Sequence, residues 1–179
     1  MSSNRVLHGL RRWVLVPIAL LAASADARAA DPLSLALSMD ALTETVQACA
    51  AKNYKVAVTI VDPDGVVKLE ARSDGSPIHS QRFSFRKAYT MVSMGPMFGA
   101  DTGSALVKLL ANFPSGLSNV QSGATDLLFL PGGALIKSNG ETIGAIGVSG
   151  APQSSEDEAC AQAGLAKIQS RLDGHAPKN

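Results

Sequence analysis

The stretch LPGGALIKSNGETIGAIGVSGA, Leu130–Ala151, constrains the fold more than any other part of the chain. Two apolar runs, ALIKS and ETIGAIGVS, flank Asn139-Gly140. Such a pair is the strongest short hairpin signal, because both positions accept the positive φ that a tight two-residue turn requires. Gly144, Gly147 and Gly150 then recur at every third position, among residues that favour burial. The dinucleotide fingerprint has another spacing and belongs to a parallel βαβ unit, so phosphate cradling does not fit the second strand of a hairpin. Glycine inside a strand marks close backbone approach or a bulge. Gly144 and Gly147 face opposite ways in a regular strand. The pattern therefore reads as a central strand with something packed closely on each face. Pro131-Gly132-Gly133, just before the hairpin, is a second candidate: bare backbone at a rim that a flat ligand can approach.

Around this hairpin the 179 residues suffice for one domain and not comfortably for two. Residues 38–52 carry Met39, Leu42, Val46 and Cys49 on one helical stripe, with Ser38 as the expected cap. A β-branched run at 55–62 ends in a DPDG turn, and 66–72 is the return strand. After a loop at 73–77, a helix is expected from Ser80 to Met94, stopped by Gly95-Pro96. A short helix at 103–112, capped by Asp101 or Thr102, precedes a polar loop at 113–125. The last helix is SSEDEACAQAGLAKIQSRL, with Ser155 and Glu158 as a capping box and Ala161, Leu165, Ile168 and Leu172 as its core stripe. Helix, hairpin, helices, hairpin, helix is an α+β order: an antiparallel sheet with helices gathered on it.

The first 29 residues read as a secretory signal: Arg5, Arg11 and Arg12, a short apolar run, then small residues at Ala27–Ala29. Residues 30–179 are then the working domain, with a short polar tail, in the periplasm or outside the cell, and without stable membrane insertion once the signal is cut. The net charge of +1, with no basic tract interleaved with aromatics, argues against nucleic acid as a partner. Neither CxxC nor CxxCH occurs, so no thiol-redox motif and no covalent haem attachment is written here. Export makes Cys49 and Cys160 a candidate disulfide. No GxSxG elbow is present. The acidic cluster Glu156, Asp157 and Glu158 is what the helix dipole favours in a first turn, without acid–base work. These readings lean away from an enzyme.

Two blocks carry a resemblance. LPGGALIKSNGETIGAIGVSGAPQSSEDEACAQAGLAKI, and VAVTIVDPDGVVKLEARSDGSPIHSQRFSFRKAYT before it, resemble the GlcG/HbpS-like haem-binding family over residues 36–170. Leu135 stands where that family usually has Pro. The resemblance implies a single profilin-like α+β domain with an antiparallel sheet of about five strands, usually assembled as a homo-oligomer. It implies non-covalent binding of haem or a related tetrapyrrole, for carriage or sequestration. Haem degradation, or an accessory or sensor role for a small organic acid such as glycolate, are the alternatives. It fixes no axial ligand. In the implied fold the strands at 55–62 and 141–149 are antiparallel neighbours, which brings Cys49 and Cys160 to the same end of the sheet. A bridge closing so long a loop contributes about 4 kcal/mol in the chain-entropy model.

The ligand candidates rest on chemistry. Haem iron takes His, Met, Tyr or Cys. His79 opens the second expected helix and is the metal-ligand candidate, with a surface or capping role as the alternative; His175 lies in the polar tail. Tyr89 is a candidate phenolate or a half-buried amphipathic side chain. Met91, Met94 and Met97 suit core filling or a soft, flat cofactor. Arg86 and Lys87 can meet haem propionates, or pair with Asp62, Asp64, Asp157 or Glu158. Gly132 and Gly133 complete the set as the bare rim.

Overall fold

A computed structural model describes residues 33–113 and 125–172. The expected signal at 1–29, most of the 113–125 loop and His175 lie outside the described residues. The elements are α1 (Leu35–Ala50), β1 (Ala57–Val61), β2 (Val67–Arg72), α2 (Ser80–Phe98), α3 (Gly103–Leu110), β3 (Gly133–Ser138), β4 (Glu141–Ser149) and α4 (Ser154–Leu172). The strands form one antiparallel sheet in the order β2-β1-β4-β3. Among the described residues the sheet has four strands, one fewer than the resemblance implied.

Strand alternation assigns the two faces. Val58 and Ile60 of β1, Ala134 and Ile136 of β3, and Ile146 and Val148 of β4 join Leu42 of α1 and Ile168 of α4 in one core. The intervening Val61, Leu135 and Ala145 meet Met91 of α2 and Leu106 of α3 in the other. The central strands are covered on both sides, which is why β1 is buried at every residue. The Asn139-Gly140 turn forms as expected, with φ of 52° and 85°. The glycine spacing has the purpose the sequence suggested. A Cβ on Gly147 would collide with the Ser84 carbonyl oxygen of α2, and one on Gly144 would collide first with the Val61 carbonyl oxygen of the neighbouring β1 and lie 3.3 Å from Leu33 on the other face. Helix and strand touch backbone to backbone at Gly147.

Three local expectations are corrected. Ser34, not Ser38, caps α1: its Oγ accepts the Leu37 N–H at 3.2 Å, while the buried Ser38 hydroxyl donates back to the Ser34 carbonyl at 2.9 Å. Helix α2 runs through Gly95-Pro96 and ends at Gly99, which is in the left-handed conformation at φ 65°. Pro96 forgoes one intrahelical bond, to the Val92 carbonyl, and Gly99 closes the helix by donating to the Gly95 and Pro96 carbonyls. The Ser155–Glu158 capping box does not form, because the Glu158 carboxylate is engaged elsewhere: it accepts the Ser104 and Gly132 N–H groups.

The α1–α4 seam is antiparallel and covalently closed. Cys49 and Cys160 form a disulfide with Cα atoms 5.5 Å apart, and both are buried. Arg171–Asp40, Lys167–Glu44 and Lys52–Glu156 pairs run along the same seam. They are largely exposed, so each contributes little beside the bridge.

Candidate functional site

Helix α2 presents three differently occupied faces, and these sort the candidate residues. Its inner face holds Ser80, Ser84, Lys87, Ala88, Met91 and Gly95 against the sheet. Met91 is a core residue, 1% exposed. Ser84 and Thr59 of β1 share a buried hydrogen bond at 2.8 Å. Lys87 extends past Gly132 to α4, where its Nζ meets Asp157 Oδ2 at 2.8 Å, with both side chains buried.

That ion pair belongs to a larger polar node. Asp157 Oδ1 accepts the Ala151 N–H at 2.9 Å. The neighbouring Glu158 accepts N–H groups from Ser104 at the start of α3 and from Gly132, at 2.9 and 3.0 Å. Two adjacent carboxylates of α4 thus tie α2, α3, the segment before β3 and the entry to α4 together. Burial lowers the Lys87 pKa and raises that of Asp157, and their mutual attraction only partly opposes it. Desolvation therefore outweighs the pairing for both partners, as in other buried ion pairs.

The node changes the assignment of three candidates. Lys87 is committed to Asp157, so of the partners weighed for it the intramolecular one is realised. The bare rim at Gly132 and Gly133 is filled from inside the chain. A Cβ on Gly132 would lie 2.7 Å from Lys87 Nζ, and one on Gly133 would lie 2.7 Å from Met91 Cγ. These glycines let α2 approach β3, and both are buried in the single chain. Leu135, the departure from the usual family Pro, donates its N–H to the Asp101 carbonyl at 2.9 Å, a bond that proline cannot make.

The second face of α2 carries His79, Phe83, Arg86 and Thr90 at helical spacing. His79 is the N-cap residue, exposed, with no side-chain capping bond; its ring meets the Phe83 ring edge-on at 5.1 Å. The Arg86 guanidinium lies 5.8 Å from the Phe83 centroid and donates to the Leu127 carbonyl. Thr90 Oγ1 accepts the Leu128 N–H. Among the described residues Arg86 Nε is buried and has no hydrogen-bond partner. His79 and Arg86 are thus gathered around one ring. Tyr89 is not with them: it lies on the third face, where its ring packs against Gly65 of the β1–β2 turn and lies 5.7 Å from Phe85. Met94 is half-buried and Met97 exposed toward the end of the helix.

Sequence reasoning missed Phe83, the organiser of this flank, and the amide contacts of Glu158 that complete the node, although it weighed Asp157 as a partner of Lys87. Phe83 was legible as the residue four after His79 and three before Arg86. Among the described residues no group of three or more His, Cys, Asp or Glu side chains is arranged to hold a metal ion, and no helix is long and apolar enough to cross a membrane.

Residues 33–166 match the family model described as haem degrading protein HbpS-like. The chain belongs to the HbpS-like family. Among solved structures, HbpS is 31% identical, with a TM-score of 0.68 over 79% of this chain and 93% of that one. A double mutant of HbpS from Streptomyces reticuli is 30% identical, with a TM-score of 0.67 over 86% and 97%. A complex of PduOC with haem shares the fold at 24% identity, with a TM-score of 0.68 over 77% and 96%. A comparison with curated protein sequences gives no match. Within the HbpS-like match lie the node and both flanks of α2.

Proposed function

We propose that this HbpS-like chain is an exported protein that binds haem non-covalently, for carriage or sequestration, on the α2 flank where His79, Phe83 and Arg86 meet. The observation that carries the reading is the gathering of the half-buried Arg86 guanidinium and the exposed His79 imidazole around the one aromatic face of Phe83. Arg86 as a residue is only half-buried and its guanidinium meets one carbonyl, that of Leu127, so its accessible N–H groups can still donate to a carboxylate from outside the chain. The residues therefore fit a haem propionate at Arg86, the ring system against Phe83, and iron at His79. Bound haem would supply a redox-active iron. The chain's own part is to orient the macrocycle and to hold its carboxylate. The family description and the haem complex of a structural neighbour support the same ligand.

Assembly as a homo-oligomer belongs to this proposal. Aromatics are only 4% of the sequence, and Leu35, Met39, Ile78 and Met97 remain more than half exposed in the single chain.

The test is absorption spectroscopy of the protein with added haemin. His79→Ala should shift or weaken the Soret band, and Tyr89→Phe should leave it in place. The reverse pattern would move the iron to Tyr89. Wild-type protein without saturable binding would remove the proposal. The family description also favours degradation; loss of the Soret band with peroxide or reductant, beyond a protein-free control, would replace carriage by that activity.

A further inference from the structure

The same helix carries a charge imbalance that its own stability does not explain. Between Ser80 and Phe98, α2 holds Arg82, Arg86 and Lys87 and no acidic residue. Lys87 is neutralised inside the molecule by Asp157. Arg82 and Arg86 stand in the first two turns, where the helix dipole disfavours cations and favours Asp or Glu. Among the described residues the ion pairs use Lys52, Lys87, Lys137, Lys167 and Arg171, and neither Arg82 nor Arg86 meets a carboxylate. Arg82 is exposed and lies three residues after His79 and four before Arg86. The two guanidinium-bearing positions are therefore about 6 Å apart along the axis. Phe83 lies beside Arg86, and Ile78, 90% exposed, sits just before the helix. Arg82, exposed, and Arg86, held by the Leu127 carbonyl but by no carboxylate, lie beside apolar surface and suit a planar ligand with two carboxylates on one edge, since a guanidinium with an open edge can grip a carboxylate through two parallel bonds.

We infer that Arg82 is a specificity-determining residue that, with Arg86, selects planar tetrapyrroles carrying two free carboxylates. The inference rests on the haem reading for the flat body of the ligand. It adds that the carboxylates, more than the metal, decide what binds.

The experiment titrates the purified protein with haemin, with iron-free protoporphyrin and with protoporphyrin dimethyl ester, following porphyrin absorbance and fluorescence. Wild type should bind the free diacid at least about tenfold more tightly than the diester, the scale of a single charge-assisted hydrogen bond. Arg82→Ala should weaken the diacid about five- to tenfold while leaving the diester unchanged, and Arg82→Lys should recover only part of the loss. The side chain is exposed, so an unchanged melting temperature verifies that the fold is intact. Equal binding of diacid and diester by wild type, or an Arg82→Ala variant that keeps the wild-type preference, would overturn the inference and leave haem binding standing. Wild type that binds neither haemin nor porphyrin would overturn the haem reading itself, and this inference with it.

Discussion

Replacing Lys87 by Met keeps most of the side-chain volume and removes the charge, which strands the Asp157 carboxylate in the core. Asp157 would retain the Ala151 N–H and lose its counter-ion 2.8 Å away. Both side chains are 2–3% exposed, so solvent cannot take the place of the partner. Breaking a buried pair by removing one member costs about 3–5 kcal/mol, whereas replacing both members by apolar residues is often neutral. Lys87→Met should therefore lose ~3–5 kcal/mol at neutral pH, and the Lys87→Met/Asp157→Leu double variant should recover most of it. The variants also differ in pH response. The folded-state pKa of Asp157 is already raised by burial, and removing Lys87 removes the largest of the interactions that lower it. A carboxyl with a raised folded pKa binds its proton more tightly when folded. Its contribution is most favourable below the ordinary carboxylate range and is lost as pH rises through the folded value. The deficit of Lys87→Met should thus shrink on acidification, and the double variant should lack this trend. Urea unfolding at neutral and acid pH, read by far-ultraviolet circular dichroism, measures all three proteins. A single variant that loses less than about 1 kcal/mol, or a double variant no better than the single, would refute a buried charge pair as the node's basis.

Two further outcomes follow from the packing. Opening the buried Cys49–Cys160 bridge, by a Cys49→Ala/Cys160→Ala variant, should lower stability by about 4 kcal/mol because the bridge joins residues 111 positions apart; a loss under ~1 kcal/mol in urea unfolding would contradict this. Gly147→Ala should cost at least about 2–3 kcal/mol, since its Cβ would press on the Ser84 carbonyl and the Ala88 amide nitrogen, and an unchanged melting temperature would show that α2 can move away.

Much of the fold was legible because local and global signals agree. Asn139-Gly140 admits few backbones besides a tight hairpin, and Gly147 admits a helix against its strand. The cysteine pairing follows from the strands at 55–62 and 141–149 being antiparallel neighbours, as they are. Where a residue had both a local and a distant partner, sequence favoured the local one. Glu158 fits a capping box by spacing, yet its carboxylate serves amides 26 and 54 residues away. Asp157 suits a helix first turn by dipole, yet it is buried to meet Lys87 from 70 residues earlier. Ser38 has cap chemistry, but its hydroxyl turns back to the Ser34 carbonyl once the helix starts a turn sooner. The α2 flank was half legible. His79 and Arg86 were named by chemistry, while Tyr89 and Lys87, on the same helix, diverge from them because a helix turns each residue by about 100°.

The central claim is that the His79–Phe83–Arg86 flank binds haem without a covalent bond. Haemin titration of the wild-type protein and of His79→Ala/Arg86→Ala, read at the Soret band and followed by acid–organic extraction, tests it most directly. Wild type should saturate, release its haem on extraction, and bind at least about a hundredfold more tightly than the double variant, the combined scale of an iron ligand and a charge-assisted hydrogen bond. Absence of saturable binding by wild type, haem that resists extraction, or a double variant that binds as tightly would contradict it.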